Sequence, residues 1–171
     1  MSHVIKHTFQ NIMAFFNPPD SARLEAIFIA HAAGQPMKRL ELIHAIEGQG
    51  LKGDRYQTRQ GYWDPVEGCQ LTIITQYELD KAQKKSAHDL STGQHRRNLV
   101  ISGLHPKKLM RYPIQIGEAV FQYHKPRPPC GYLDQLVGKG TAKSLGKHSG
   151  ACFKVVKTGL LHEKDKVQIL A

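Results

Sequence analysis

The feature that most constrains this chain is its punctuation. About seven or eight short apolar runs, rich in β-branched residues, recur between turn residues along its length. "RLEAIFIAHAA" (23–33) reads as a first buried strand, and "LELIHAIEG" (40–48) as a second, with Leu40, Leu42 and Ala45-Ile46 alternating against polar neighbours. "CQLTIIT" (69–75) is a compact β-branched run suited to the middle of a sheet, and "RRNLVIS" (96–102) is another strand with a polar lead. In "YPIQIGEAVFQYHK" (112–125), Gly117-Glu118 separates two alternating runs, as a hairpin turn does. "GACFKVVKTG" and "DKVQIL" add two strands, divided by "LLHEK". So many short strands have to bury their apolar faces against one another, which predicts a mainly β fold, a closed mixed β-barrel with a few short helices.

The helices are few. Thr75 and Glu78 form a Ser/Thr-x-x-Glu capping box, so a helix is expected over "QYELDKAQKK", with Leu79 and Ala82 inward and Lys81, Lys84 and Lys85 in water. "HPKKLM" suits one turn. "GYLDQLVG" suits a short helix just after Cys130, burying Leu133, Leu136 and Val137.

No linker or repeat divides the 171 residues, a length that one domain with its own core can use. The expected organisation is an N-terminal arm over 1–23 and a domain over 24–171. The arm's apolar run "IMAFF" is short, lacks a cleavage site and ends at Asn17-Pro18-Pro19, and no stretch reaches the length of a membrane span. Three widely spaced cysteines do not outline a disulfide framework and suit a reducing compartment, most simply the cytoplasm. The formal net charge of +10 favours an anionic partner, whether nucleic acid, a phosphate-bearing cofactor or an acidic protein.

Three segments carry candidate chemistry. In "HKPRPPCGYLDQL", prolines hold Cys130 out of a strand, with His124, Lys125 and Arg127 close before it and a helix start behind it, surroundings that lower a thiol pKa. Cys69 and Cys152 fall within strands and read as small core residues. In "GQGLKGDRYQTRQGYWDP", Gly48, Gly50 and Gly53 allow close approach of the main chain to a ligand, and Asp54 and Arg55 pair or touch a bound group. In "GQHRRNLVISG", Arg96 and Arg97 offer guanidinium forks to phosphate or carboxylate at a strand entrance, and Asn98 holds a loop. No Cys-x-x-Cys occurs and no paired histidines fall within one of the expected helices, so a structural zinc site is not expected; nor is there a Gly-x-Ser-x-Gly element for a serine hydrolase.

In this order, "GLKGDRY", "CQLTIIT", "HRRNLVISGL", "PIQIGEAVF", "PPCGYLDQL" and "SGACFKVVKTGLLHEKDKVQI" resemble the MOSC domain, named for the C-terminal domain of molybdenum-cofactor sulfurases. The resemblance runs over about 24–170 and leaves out the arm. It implies a β-rich, barrel-like fold and a role in molybdenum-cofactor or sulfur chemistry, with Cys130 in the place of the family's sulfur-carrying or molybdenum-ligating cysteine. Some stand-alone members reduce N-hydroxylated bases with the bound cofactor. The chain has no room for the pyridoxal-phosphate domain of the fused sulfurases, so no pyridoxal phosphate site is expected. Lys164-Asp165 stands where relatives often have Gly-Asp, which puts one turn in question.

The molybdenum cofactor, molybdopterin, carries an anionic phosphate and a soft metal centre. Gly53, Asp54, Arg55, Arg96, Arg97, Asn98 and Arg127 are therefore the candidate cofactor residues, and Cys130 the candidate catalytic residue and metal ligand. Two mechanisms compete. Either Cys130 binds molybdenum for reduction of an N-oxygenated small molecule, or it carries a persulfide between a sulfur donor and an acceptor protein. A non-catalytic basic barrel is the third reading; it would bind nucleic acid or protein, with Tyr112, Tyr123 and Tyr132 as stacking surfaces.

Overall fold

The computed structural model describes residues 21–63 and 68–171, so most of the expected arm lies outside the described residues. The chain is mainly β, as its punctuation predicts. In chain order the strands are β1 (Arg23–Ile29), β2 (Lys38–Leu40), β3 (Leu42–Ile46), β4 (Gly50–Leu51), β5 (Leu71–Thr75), β6 (Leu99–Ser102), β7 (Ile114–Ile116), β8 (Ala119–Pro126), β9 (Ala151–Lys157), β10 (Gly159–His162) and β11 (Val167–Ile169). Among the described residues four short helices accompany them: α1 (Gln76–Gln83), α2 (Pro106–Arg111), α3 (Gly131–Leu136) and α4 (Thr141–Leu145).

Eight strands form one mixed sheet in the order β11-β7-β8-β9-β5-β6-β1-β2, and β10-β3-β4 form a second. Among the described strands only β5 and β6 pair in parallel, joined by a crossover that contains α1. The Thr75 hydroxyl accepts from the Glu78 amide while the Glu78 carboxylate accepts from the Thr75 amide at 2.9 Å, so the predicted capping box is formed. Alternation along the strands divides the interior in two. Ile73, Leu99 and Ile101 face one core with Leu24, Phe121 and Phe153, whereas Ile74 and Val100 face a second with Leu79, Leu133 and Leu145 from the helices. Covered on both faces, β5 is buried at all five positions, as a central strand should be.

The expected closed barrel is not what forms. The edge of β1 is shared: Ile27–Ile29 pair with β2, which leaves only the segment around Arg23 to reach the other end of the sheet. There one isolated bridge, Arg23 to Lys166, and backbone bonds from Leu24 to Asp165 and from Val167 to Ala22 span the seam. Three-residue β11 is too short to extend that contact into a ladder, so the sheet is curved and bridged but open.

Two local expectations change. "LELIHAIEG" is not one strand: it breaks at Glu41 between the two sheets, leaving Leu42 51% exposed and burying Ile43 and Ala45 instead. "LLHEK" is not a spacer either, because Gly159–His162 pairs with β3 as β10. The Lys164-Asp165 turn keeps its shape without glycine: Lys164 takes φ +74 and the Asp165 carboxylate accepts the His162 amide at 2.7 Å. Cys69 and Cys152 are buried as expected, but they are joined as a disulfide, with Cα atoms 5.3 Å apart. That corrects the expectation of unpaired core thiols, and with it the use of the cysteine count as an argument for a reducing compartment. Among the described residues, no helix is long and apolar enough to cross a membrane.

Candidate functional site

Residues from three distant stretches converge on one cleft enclosing about 590 Å³ of space open to solvent. The loop between β4 and β5 brings Arg55, Tyr56, Tyr62 and Trp63; the entrance to β6 brings Arg96 and Arg97; the segment after β8 brings Arg127, Pro128, Pro129 and Cys130. Tyr132, Leu133 and Leu136 of α3 complete the wall. Cys130 is the only free cysteine, half-buried at the N-cap of α3. The prolines do what the sequence requires of them: β8 ends at Pro126, and the chain leaves the sheet for the cleft.

Arg55, Arg96 and Arg97 are each fixed by a different device. Asp54 is fully buried at the end of β1, where its carboxylate accepts the Ala30 amide at 3.1 Å, the Tyr56 amide at 3.2 Å and the Arg55 guanidinium at 3.1 Å. Arg55 also donates to the Arg96 carbonyl at 2.9 Å, tying the glycine loop to the β6 entrance. Arg97 donates through Nε to the Ser149 carbonyl at 2.6 Å and through Nη2 to the Ser149 hydroxyl at 2.7 Å and the Arg127 carbonyl at 3.3 Å. Arg96 holds the left-handed φ of +63, and its Nη1 donates to the Gln35 carbonyl. A non-glycine residue in that region is strained, and such strain concentrates where a side chain has to point into a site.

Crowding and burial leave this cluster short of negative charge. Burial, with Arg55 beside it, lowers the Arg96 pKa to about 10; burial, with Arg127 and Arg55 near, brings Arg97 to about 10 as well. Both stay protonated at neutral pH, but in surroundings that disfavour the charge, so an anion in the cleft would relieve them. His95, fully buried just before the arginines, is pushed the same way, to about 3, by burial and then by Arg97. Its Nδ1 accepts the Arg97 amide at 2.9 Å, and its ring stands edge-on to Phe28.

Of the eight site residues expected from sequence, Cys130, Arg55, Arg96, Arg97 and Arg127 line the cleft. Gly53, Asp54 and Asn98 do not. Asn98 is buried with its Oδ1 accepting from the Thr72 amide and hydroxyl at 2.9 Å and its Nδ2 donating to Phe28 at 3.1 Å. It ties β5 to β1 directly behind the two arginines. Asp54 acts through Arg55, and Gly53 turns the loop at φ +78. Gly50 shows the close approach expected of this loop, but toward protein: a Cβ there would collide with the Gln70 carbonyl.

The sequence reading named Tyr132 but missed Tyr62, Trp63 and Ser149. Tyr62 stacks on Tyr132 with ring centroids 3.7 Å apart, and Trp63 meets Tyr62 edge-on at 5.4 Å. The signal was present in "GYW", which holds the chain's single tryptophan beside the glycine loop. Tyr112, Tyr123 and Tyr132 each find a different partner (Arg111, Phe153 and Tyr62), so the three do not line up as one stacking platform. Among the described residues no three His, Cys, Asp or Glu side chains cluster as a metal cage.

A curved mixed β sheet thus delivers one free cysteine and four arginines to a single cleft. The chain belongs to the MOSC domain family, whose model matches residues 54–168. No curated protein matches it in sequence. Its fold is similar to that of the YUAD protein from Bacillus subtilis, with a TM-score of 0.69 at 17% identity over 85% of this chain and 93% of that one. It is also similar to YiiM from Geobacillus stearothermophilus (TM-score 0.64, 16% identity, 88% and 75% covered) and to YiiM from Escherichia coli (TM-score 0.55, 16% identity, 87% and 70% covered). At these identities the structural likeness establishes the fold.

Proposed function

We propose that the cleft binds molybdenum cofactor, with Cys130 as the protein's thiolate ligand and the arginines as anchors for the pterin phosphate, for the reduction of N-oxygenated small molecules. The observation that carries this reading is the convergence of the chain's only free cysteine with Arg55, Arg96, Arg97 and Arg127 in one cleft.

The residues present fit such a group. A soft metal whose other ligands come from a pterin dithiolene needs only one thiolate from the protein, and Cys130 is placed to supply it. Buried guanidiniums are forked donors suited to phosphate oxygens, and Arg97, fastened to Ser149, keeps its position before the ligand arrives. When bound, the cofactor supplies two-electron oxygen-transfer chemistry at a soft metal.

The chain's own contribution is placement. Cys130 holds the ligand, Arg55 and Arg96 neutralise it, and Tyr62, Trp63 and Tyr132 form an apolar wall that narrows the space left for substrate and water. The net reaction breaks one N–O bond, with two electrons from an external donor and two protons, and yields the amine and water.

Native mass spectrometry of protein from cells that make the cofactor tests this, wild type beside Cys130→Ala and Arg96→Gln. A pterin-plus-metal adduct that is absent from Cys130→Ala and reduced in Arg96→Gln supports the reading, as does oxidation of reduced methyl viologen by an N-hydroxylated substrate with the loaded wild type alone. One added sulfur on Cys130 without pterin would overturn it in favour of a persulfide carrier. A persistent apo mass with strongly salt-dependent nucleic-acid binding, unchanged in Cys130→Ala, would overturn it in favour of a basic binding module.

A further inference from the structure

A second cleft, enclosing about 820 Å³ of space open to solvent, lies between α1, α2 and the loop after α4, and no residue that lines it also lines the Cys130 cleft. Its floor is apolar and buried: Ile73, Leu109, Ala151 and Phe153. Two large apolar side chains on its wall stay in water, Tyr77 at 45% exposure and Met110 at 42%. The Tyr77 ring is flanked by two imidazoles, His105 at 5.5 Å and His148 at 6.2 Å between ring centroids.

The polar lining is one-sided in charge. Lys107 comes from α2 and Lys147 from the loop after α4, so cations enter from two elements. Among the described residues the one acidic side chain in the lining is Glu78, and it is buried and committed. Its carboxylate accepts from the Thr75 amide and hydroxyl at 2.9 Å and from the Gly150 amide at 3.2 Å. An apolar trough with exposed hydrophobic walls and a cationic rim fits a ligand with an apolar body and one acidic head.

We propose that this cleft is a binding site for an amphipathic carboxylate, its chain or ring lying on Phe153, Leu109 and Met110 and its head between Lys107 and Lys147. Nothing in the role of Cys130 requires such a site. The two clefts adjoin: Pro126 lines this one where Arg127 lines the other, the Arg127 amide donates to the Gly150 carbonyl at 3.2 Å, and Gly150 follows the Ser149 that holds Arg97.

The test uses 11-(dansylamino)undecanoate, a fluorescent apolar carboxylate, on the full chain at low ionic strength and below its micelle concentration. The expected result is saturable binding displaced by decanoate at a concentration at least tenfold lower than by decanol. Met110→Glu should abolish it, and the double variant Lys107→Gln/Lys147→Gln should weaken it at least tenfold. Cys130→Ala should leave it unchanged. All of these substitutions fall on exposed or half-buried positions, and circular dichroism confirms the fold of each. Binding that is non-saturable, indifferent to Met110→Glu, equally sensitive to decanol, or lost in Cys130→Ala overturns the proposal, whatever becomes of the cofactor reading.

Discussion

His95 makes acid instability of this chain a quantitative expectation. The ring is fully buried and its pKa falls from 6.5 to about 3, because burial and the neighbouring Arg97 both oppose a second positive charge. The folded chain therefore keeps His95 neutral at pH values where the unfolded chain protonates it, so stability is present above pH 6.5 and is lost as pH falls toward the folded value. Each pH unit below 6.5 costs about 1.4 kcal/mol, which gives about 2 kcal/mol at pH 5 from this one group. Glu25 and Asp134, whose carboxyl pKa values are lowered by Lys164 and by the Ala142 amide respectively, lose their contributions only below their ordinary values of 4.5 and 3.8. The window from pH 7.5 to 5 is thus largely clear of them. Urea denaturation at pH 7.5 and pH 5 measures the loss in wild type and in His95→Asn, whose amide oxygen can accept the Arg97 N–H in place of Nδ1. The wild type should lose about 2 kcal/mol more than the variant across that interval. Equal losses in the two proteins would refute the assignment of a buried neutral imidazole behind the arginines.

Other consequences are simpler to check. Non-reducing alkylation of the native chain should modify Cys130 alone, with two further sites appearing only after reduction and unfolding; early labelling of Cys69 or Cys152 would contradict their pairing. Asp54→Ala strands the buried Arg55 and should cost about 3–5 kcal/mol by chemical denaturation. Thr75→Ala removes the cap of α1 and should cost about 1–2 kcal/mol in the same assay, without altering Cys130 alkylation. Lys164→Gly relieves a left-handed backbone and should be neutral to stabilising by up to about 1 kcal/mol, offset in part by loss of the exposed contact to Glu25.

How much of this was legible in the sequence depends on how local each determinant is. The helix after Thr75 could be read because its cap lies within four residues, and the β7–β8 turn because Gly117-Glu118 sits between matched alternating runs. The break at Glu41 could not, since Leu42 and Ile43 are equally apolar and only the departure of β3 to a second sheet decides which is covered. The same holds for the seam, where competition between β2 and β11 for one edge of β1 is a tertiary matter. Cys130 and the arginines could be singled out by residue chemistry alone, and the fold gathers them at one cleft. Asp54 and Asn98, singled out with them, are fully buried and do not line that cleft. A buried carboxylate that orients an arginine and one that touches a ligand look alike until burial is known. Cys69 and Cys152 stand 83 residues apart, and only the antiparallel pairing of β5 with β9 brings them together.

The clamp between Arg97 and Ser149 gives the cleft two different responses to ionic strength. Bonds made inside the protein, by an arginine only 6% exposed, are scarcely reached by mobile ions, so the shape of the cleft should survive concentrated salt. The long-range pull of the whole basic surface on an approaching anion is screened within about 8 Å at physiological ionic strength. Raising salt should therefore slow the arrival of an anionic ligand far more than it hastens its departure. A rise in dissociation constant that sits almost entirely in the association rate is the kinetic signature of arginines that have already been set in place by the fold.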